Sequence, residues 1–121
     1  MVQWKIEFYS LSSGSSPVAD WLLEQEPKVQ AKFAWIFDLL QEHGILVGMP
    51  HVRSITNSKL FEIRVEQQTN IYRIFYVAYR DQRFILLHGF QKKTQKTPKK
   101  ELEIAEKRIK DFLGLEQSSK G

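Results

Sequence analysis

Residues 60–90 read LFEIRVEQQTNIYRIFYVAYRDQRFILLHGF, and the architecture of the whole chain can be worked out from this stretch. Three segments in it are rich in β-branched and aromatic residues: Leu60 to Val65, Ile71 to Tyr79 and Arg83 to Phe90. The first of them alternates between apolar and polar side chains. The residues between them, 67–70 and 80–82, have the composition of short turns. Such segments joined by short turns are typical of neighbouring antiparallel strands. The stretch therefore predicts a three-stranded meander.

The flanking sequence adds one strand and three helices to this meander. Val2 to Tyr9 alternates strictly, which predicts a half-buried strand. Pro17 and Pro27 each stand at the start of an amphipathic segment, and Gly44 follows the second one, as expected for a helical hairpin. Apolar residues show no regular spacing in residues 45–58, which predicts a long connection. A last helix is expected between Pro98 and Gly114.

The predicted order is therefore β-α-α-β-β-β-α, an α+β fold. We expect an antiparallel-rich sheet of about four strands, packed on the helical hairpin, plus the C-terminal helix. The opposite face of the sheet, with Glu62, Arg64 and Arg73, is the place to look for function.

Length and composition limit the possible classes of protein. A chain of 121 residues with 42% apolar residues is one domain, which we place at residues 1–115 with a flexible tail at 116–121. The absence of Cys excludes disulfides, thiolate zinc sites and Cys nucleophiles. No apolar stretch approaches the roughly 18 residues of a membrane span, and the N-terminus does not resemble a signal peptide. We expect a soluble cytoplasmic domain with no membrane partner.

Positive charge is concentrated near the C-terminal end of the meander. Residues 91–100 contain five Lys and no acidic residue. Clustered cations of this kind bind polyphosphates without reading sequence. A solvated loop whose lysines only aid solubility is the alternative.

Three cationic or titratable groups lie on adjacent predicted strands: Arg64, Arg73 and His88, with Lys92 just beyond. Such groups suit RNA cleavage, in which the ribose 2′-OH attacks the adjacent phosphate and the enzyme supplies a base, an acid and positive charge. Each residue also has a structural interpretation: Arg64 pairing with Glu62 or Glu66, Arg73 solvated on its strand, and His88 hydrogen-bonded in the core. The sequence has no metal-binding or nucleotide-binding motif, so we expect neither a metal nor another cofactor.

Several motifs in this region resemble a known family. Residues 60–64 (LFEIR), 72–76 (YRIFY) and 86–98 (LLHGFQKKTQKTP), with Glu101 and Ala105 beyond, are similar to the phage-derived Gp49-like branch of the HigB/RelE/ParE toxin superfamily. The resemblance implies a RelE-like fold and the toxin of a type II toxin–antitoxin pair. It further implies a metal-independent, ribosome-dependent mRNA endoribonuclease that inhibits translation. Its expected partners are a helix-turn-helix, HigA-like antitoxin and mRNA on the ribosome.

By motif position, the resemblance predicts the catalytic residues Arg64, Arg73, His88, Lys92 and Lys93. It predicts RNA contacts from Arg53, Lys96 and Phe90. Two other functions stay open: a ParE-like inhibitor that binds a topoisomerase without catalysis, and a non-toxic RNA- or protein-binding domain. His88 and the Lys-rich block favour the ribonuclease.

Overall fold

The computed structural model describes residues 3–92 and 98–120, with the backbone alone at 92 and 118–120. It contains the elements β1 (Lys5–Phe8), α1 (Pro17–Leu23), α2 (Pro27–His43), a 3₁₀ turn (Gly44–Leu46), β2 (Val52–Ser54), β3 (Phe61–Gln67), β4 (Asn70–Tyr79), β5 (Arg83–Lys92) and α3 (Lys99–Lys120). The described residues thus form an α+β fold, as the sequence predicts.

The helical hairpin of α1 and α2 lies where the sequence places it. Pro17 and Pro27 occupy the first positions of the two helices, where the missing N–H costs no hydrogen bond. Gly44 ends α2 with a φ of 58°, a conformation that favours glycine. The indole of Trp4 packs so closely that a Cβ at this position would lie 2.3 Å from its Nε1.

The sheet has five strands in the order β1-β5-β4-β3-β2. β1 is parallel to β5, and the other three pairings are antiparallel. The predicted sheet of about four strands is therefore wrong in strand number, because β2 lies within the segment predicted as a connection. With three residues, β2 is too short for an alternating pattern to be recognised. Val52 of β2 pairs with Ile63 of β3.

The C-terminal helix is longer than predicted. α3 continues through Gly114 to Lys120, so the helix end predicted at Gly114 is wrong. Glycine in a helix interior costs only about 1 kcal/mol relative to alanine. Beyond it, Glu116 accepts a hydrogen bond from Arg83 of β5 at 2.5 Å, which ties the last turns to the sheet.

Helices cover both faces of the sheet. The hairpin buries residues of α2, among them Phe33, Ile36 and Leu40, against Ile63, Ile74 and other residues on one face. On the other face, Ala105 and Ile109 of α3 pack with residues of β4 and β5 such as Phe75 and Leu87. The face expected to be open is thus covered over β4 and β5. No helix in residues 3–92 and 98–120 has the length and apolarity that crossing a membrane requires.

Candidate functional site

The strand register brings most of the predicted site residues to one face of the sheet. Arg64 of β3 is directly opposite Arg73 of β4, which is opposite Phe90 of β5. In the next row, Glu62 is opposite Phe75, which is opposite His88. Directly opposed residues of antiparallel strands have side chains on the same face, here the face on which α3 packs.

The other predicted residues lie at the two ends of this arrangement. Arg53 of β2 is opposite Glu62 and so belongs to the same face. Lys92 pairs with Ile71 in the backbone register, one row beyond Phe90. Lys93 and Lys96 lie outside the described residues.

Arg73 belongs to a buried ionic network centred on Glu62. The Arg73 and Glu62 side chains are 1% and 0% exposed, and Nη1 of Arg73 donates to Oε2 of Glu62 at 3.0 Å. Nε of Arg53 donates to Oε1 of Glu62 at 3.1 Å, while the Arg53 side chain remains 42% exposed. A buried carboxylate needs such partners, because its desolvation is otherwise very costly. Glu62 therefore links the buried Arg73 to an arginine at the protein surface.

Arg64 lies at the surface and pairs with a carboxylate of its own strand. Its Nη2 donates to Oε1 of Glu66 at 2.6 Å, and the two side chains are 28% and 61% exposed. Ion pairs this exposed contribute little stability, about 0–1 kcal/mol. The Arg64 guanidinium can therefore exchange Glu66 for another anion at small cost.

His88 makes hydrogen bonds through both ring nitrogens to residues of α3. Its Nε2 lies 2.8 Å from Oε2 of Glu101, and its Nδ1 lies 3.3 Å from Nη1 of Arg108. Burial lowers the pKa of the His88 imidazole; the Glu101 carboxylate opposes this effect, and the Arg108 guanidinium adds to it. Because arginine can only donate, Nδ1 accepts and the Nε2–H donates to Glu101. His88 is thus a neutral residue that joins β5 to α3.

Phe90 is a buried neighbour of this histidine. Its ring stacks on the His88 ring, with centroids 5.5 Å apart, and contacts the Phe75 ring at 5.1 Å. Phe90 belongs to the core under α3. The structure therefore places His88, Phe90 and Arg73 below the surface, and Arg53 and Arg64 at it.

The two surface arginines line a groove of about 270 Å³ at the β2 side of the sheet. We call this the Arg64 groove; it is lined by Met49, Pro50, His51, Val52, Arg53, Arg64 and Glu66. The backbone carbonyl of His51 accepts a hydrogen bond from the backbone N–H of Arg64 at 2.9 Å, which holds the two residues side by side. Two arginines, a histidine and a glutamate thus line one solvent-accessible groove.

A second hollow, of about 280 Å³, adjoins the Arg64 groove and shares three of its residues. We call this the Trp35 hollow; it is lined by Lys32, Trp35, Ile36, His51, Arg64, Val65 and Glu66. The rings of Trp35 and His51 meet edge to face, with centroids 4.9 Å apart.

Sequence reasoning missed both His51 and Trp35 as site residues. His51 lies in the aperiodic segment before β3, so no pattern places it. Trp35 does carry a signal: it lies outside the helix face formed by Val29, Phe33, Ile36 and Leu40, all of which are buried in α2. A large aromatic residue on the solvent side of an amphipathic helix is a candidate binding residue.

Comparison with known proteins identifies the family. The family model described as Phage derived protein Gp49-like (DUF891) matches residues 20–110, which include the end of α1, all of α2, β2 to β5 and the described site. No curated protein matches the chain. The match confirms the predicted resemblance and spans well over half of the 121 residues. The chain therefore belongs to the phage-derived Gp49-like family, which is a toxin family of the RelE/HigB type.

Proposed function

We propose that this protein is the toxin of a type II toxin–antitoxin system and that it cleaves mRNA on translating ribosomes, thereby inhibiting translation. Membership of a RelE/HigB-type toxin family supports the toxin role. The observation that carries the catalytic part is the Arg64 groove, a single cavity lined by two arginines and a histidine. These are the groups that a metal-independent phosphodiester cleavage requires.

In the proposed reaction, the ribose 2′-OH attacks the adjacent phosphorus and the 5′-oxygen of the next nucleotide leaves. The 2′-OH gives up its proton to a base, and the leaving oxygen receives a proton from an acid. Arg64 and Arg53 bind the phosphate and stabilise the negative charge of the pentacovalent transition state. His51 is the imidazole in the groove, and we assign it a proton-transfer role.

The buried residues of the same face serve this site indirectly. Glu62 holds the Arg53 guanidinium from below, and Arg73 neutralises Glu62 in the interior. His88 fixes the start of α3 against β5 through Glu101 and Arg108. We propose that Lys92, Lys93 and Lys96 bind neighbouring RNA phosphates, as their sequence motif implies.

The family also implies a protein partner. A toxin of this family is accompanied by an antitoxin, and we propose a small helix-turn-helix protein of the HigA type. We propose mRNA on the ribosome, in the cytoplasm, as the substrate.

The proposal is tested by expressing the chain alone and mapping messages by primer extension. We expect growth arrest, with new 5′ ends that follow the codon phase of a translated message. Arg64→Ala should slow message cleavage about a hundredfold and relieve the growth arrest. Arg80→Ala provides a control with the same change in charge. Arg80 is exposed and follows the C-terminal end of β4, whereas Arg64 is opposite Arg73 near the start of that strand. Intact messages with loss of DNA supercoiling would contradict the proposal and indicate a topoisomerase inhibitor, and normal growth would indicate a non-toxic domain.

A further inference from the structure

The Trp35 hollow has the properties of a binding site for one unpaired nucleobase. Trp35 is 52% exposed, although tryptophan is among the side chains that gain most from burial. It is on α2 but points away from the core that the rest of that helix builds. Its exposure is therefore not explained by the packing of the described residues.

The hollow exists because β2 is short. β2 pairs with β3 only from Phe61 to Ile63, so the edge of β3 is uncovered from Val65 onward. α2 runs beside this edge and supplies Trp35 as one wall. The resulting space of about 280 Å³ is lined by Trp35 and by residues 64–66 of β3.

Positive charge lies at the rim of the hollow. Lys32 is exposed and its Nζ donates to the backbone carbonyl of Glu66 at 2.7 Å, which holds the ammonium group at the β3 edge. Arg64 lines both this hollow and the Arg64 groove. Cations beside an exposed aromatic ring are the usual arrangement for binding single-stranded nucleic acids, in which bases stack and phosphates pair with the cations.

We infer that Trp35 stacks on an unpaired base of the RNA substrate, next to the phosphate bound by Arg64. The edge-to-face contact with the His51 ring holds the indole in place, so that little conformational entropy is lost on binding. The ligand is a base of single-stranded RNA, of any sequence, because every base offers a π face. This inference rests on the proposed function, since it concerns the same substrate.

Binding can be measured without cleavage by fluorescence anisotropy of a labelled, short 2′-O-methyl oligouridine, which lacks the attacking hydroxyl. An abasic sugar–phosphate oligomer of the same length carries equal charge but no bases. Trp35→Ala should weaken oligouridine binding about tenfold and leave binding of the abasic oligomer unchanged. Trp35→Phe should retain most of the affinity. Leu46→Ala is a control, because Leu46 is an exposed apolar residue outside the hollow.

Each outcome has a distinct meaning. Equal oligouridine affinity of wild type and Trp35→Ala would overturn the inference, while message cleavage in cells would still support the proposed function. Loss of affinity for both oligomers would also overturn it, because stacking cannot act on an abasic chain. Unchanged RNA binding together with loss of neutralisation by the antitoxin would assign Trp35 to the protein partner instead. A thermal unfolding curve like that of the wild type shows that Trp35→Ala is folded.

Discussion

Replacing Glu62 with glutamine should destabilise the protein far more than any other single carboxylate-to-amide change on this face. Glutamine has nearly the same shape, so the substitution removes charge without leaving a cavity. Its carbonyl oxygen could still accept a hydrogen bond from one of the two arginines, Arg53 and Arg73, but its NH2 group would face the other guanidinium, which is also a donor. Arg53 can turn to solvent, but Arg73 is 1% exposed and stays in the interior without this carboxylate.

The expected loss of stability follows from the burial of the ion pair between Glu62 and Arg73. Removing one partner of a buried ion pair costs about 3–5 kcal/mol, because the remaining charge stays desolvated. For a domain whose total stability is about 5–15 kcal/mol, this corresponds to a decrease in Tm of roughly 10–20 °C. The exposed pair of Arg64 with Glu66 is worth only about 0–1 kcal/mol, which makes Glu66→Gln the matched control.

The assay is urea unfolding followed by tryptophan fluorescence, with thermal unfolding as a second measurement. A double variant, Glu62→Leu with Arg73→Met, should recover most of the lost stability, since it removes both charges from the interior. A loss of stability below about 1 kcal/mol in Glu62→Gln would place the pair of Glu62 and Arg73 in the range of surface ion pairs and contradict this prediction. A double variant less stable than Glu62→Gln would show that packing, rather than charge, determines the effect.

Three further predictions concern the surface pair, the buried histidine and one glycine. Glu66→Gln should raise affinity for a short RNA about threefold, measured by anisotropy at low salt, because Arg64 no longer has a competing carboxylate; unchanged affinity would count against Arg64 as a phosphate contact. Since burial lowers the pKa of His88, the unfolded chain binds a proton more readily than the folded protein. Stability should therefore fall as the pH drops below about 6.5 and level off below the pKa of His88 in the folded state. His88→Asn should remove this part of the pH dependence in urea unfolding between about pH 5 and pH 8, and parallel profiles of variant and wild type would contradict it. Gly89→Ala should lower the free energy of unfolding by about 1–3 kcal/mol, because its Cβ would lie 2.4 Å from Cε3 of Trp21. The control is Gly114→Ala, which has nothing within 4 Å of its Cβ and should not be destabilised in thermal unfolding.

The secondary structure that local signals specify was predictable from the sequence. The starts of α1 and α2 follow from Pro17 and Pro27, and the end of α2 follows from Gly44. β3 follows from its alternation, and β4 and β5 follow from their β-branched and aromatic residues and the short turns between the strands. β2 and the last turns of α3 could not be predicted, because they depend on partners distant in sequence, Ile63 for β2 and Arg83 for α3.

The sequence predicts on which face of the sheet the candidate site residues lie, but not which of them are buried. Alternation along β3 and β4 is enough to place Arg64 and Arg73 on one side of the sheet, and the register agrees. The sequence left open whether Arg64 pairs with Glu62 or Glu66, and the structure pairs it with Glu66. Burial of Arg73 and His88 depends on Glu62 and Glu101, which approach them only when the sheet and α3 come together.

The central claim is that the Arg64 groove cleaves RNA through the substrate's own 2′-OH. The most direct test is a reconstituted translation reaction with purified protein and a defined mRNA, compared with the same mRNA carrying one 2′-deoxynucleotide at the cleaved position. We expect codon-phased cleavage with a 2′,3′-cyclic phosphate end, no cleavage at the deoxy position, and a cleavage rate about a hundredfold lower in Arg64→Ala. Cleavage that continues at the deoxy position, or at the wild-type rate in Arg64→Ala, would contradict it.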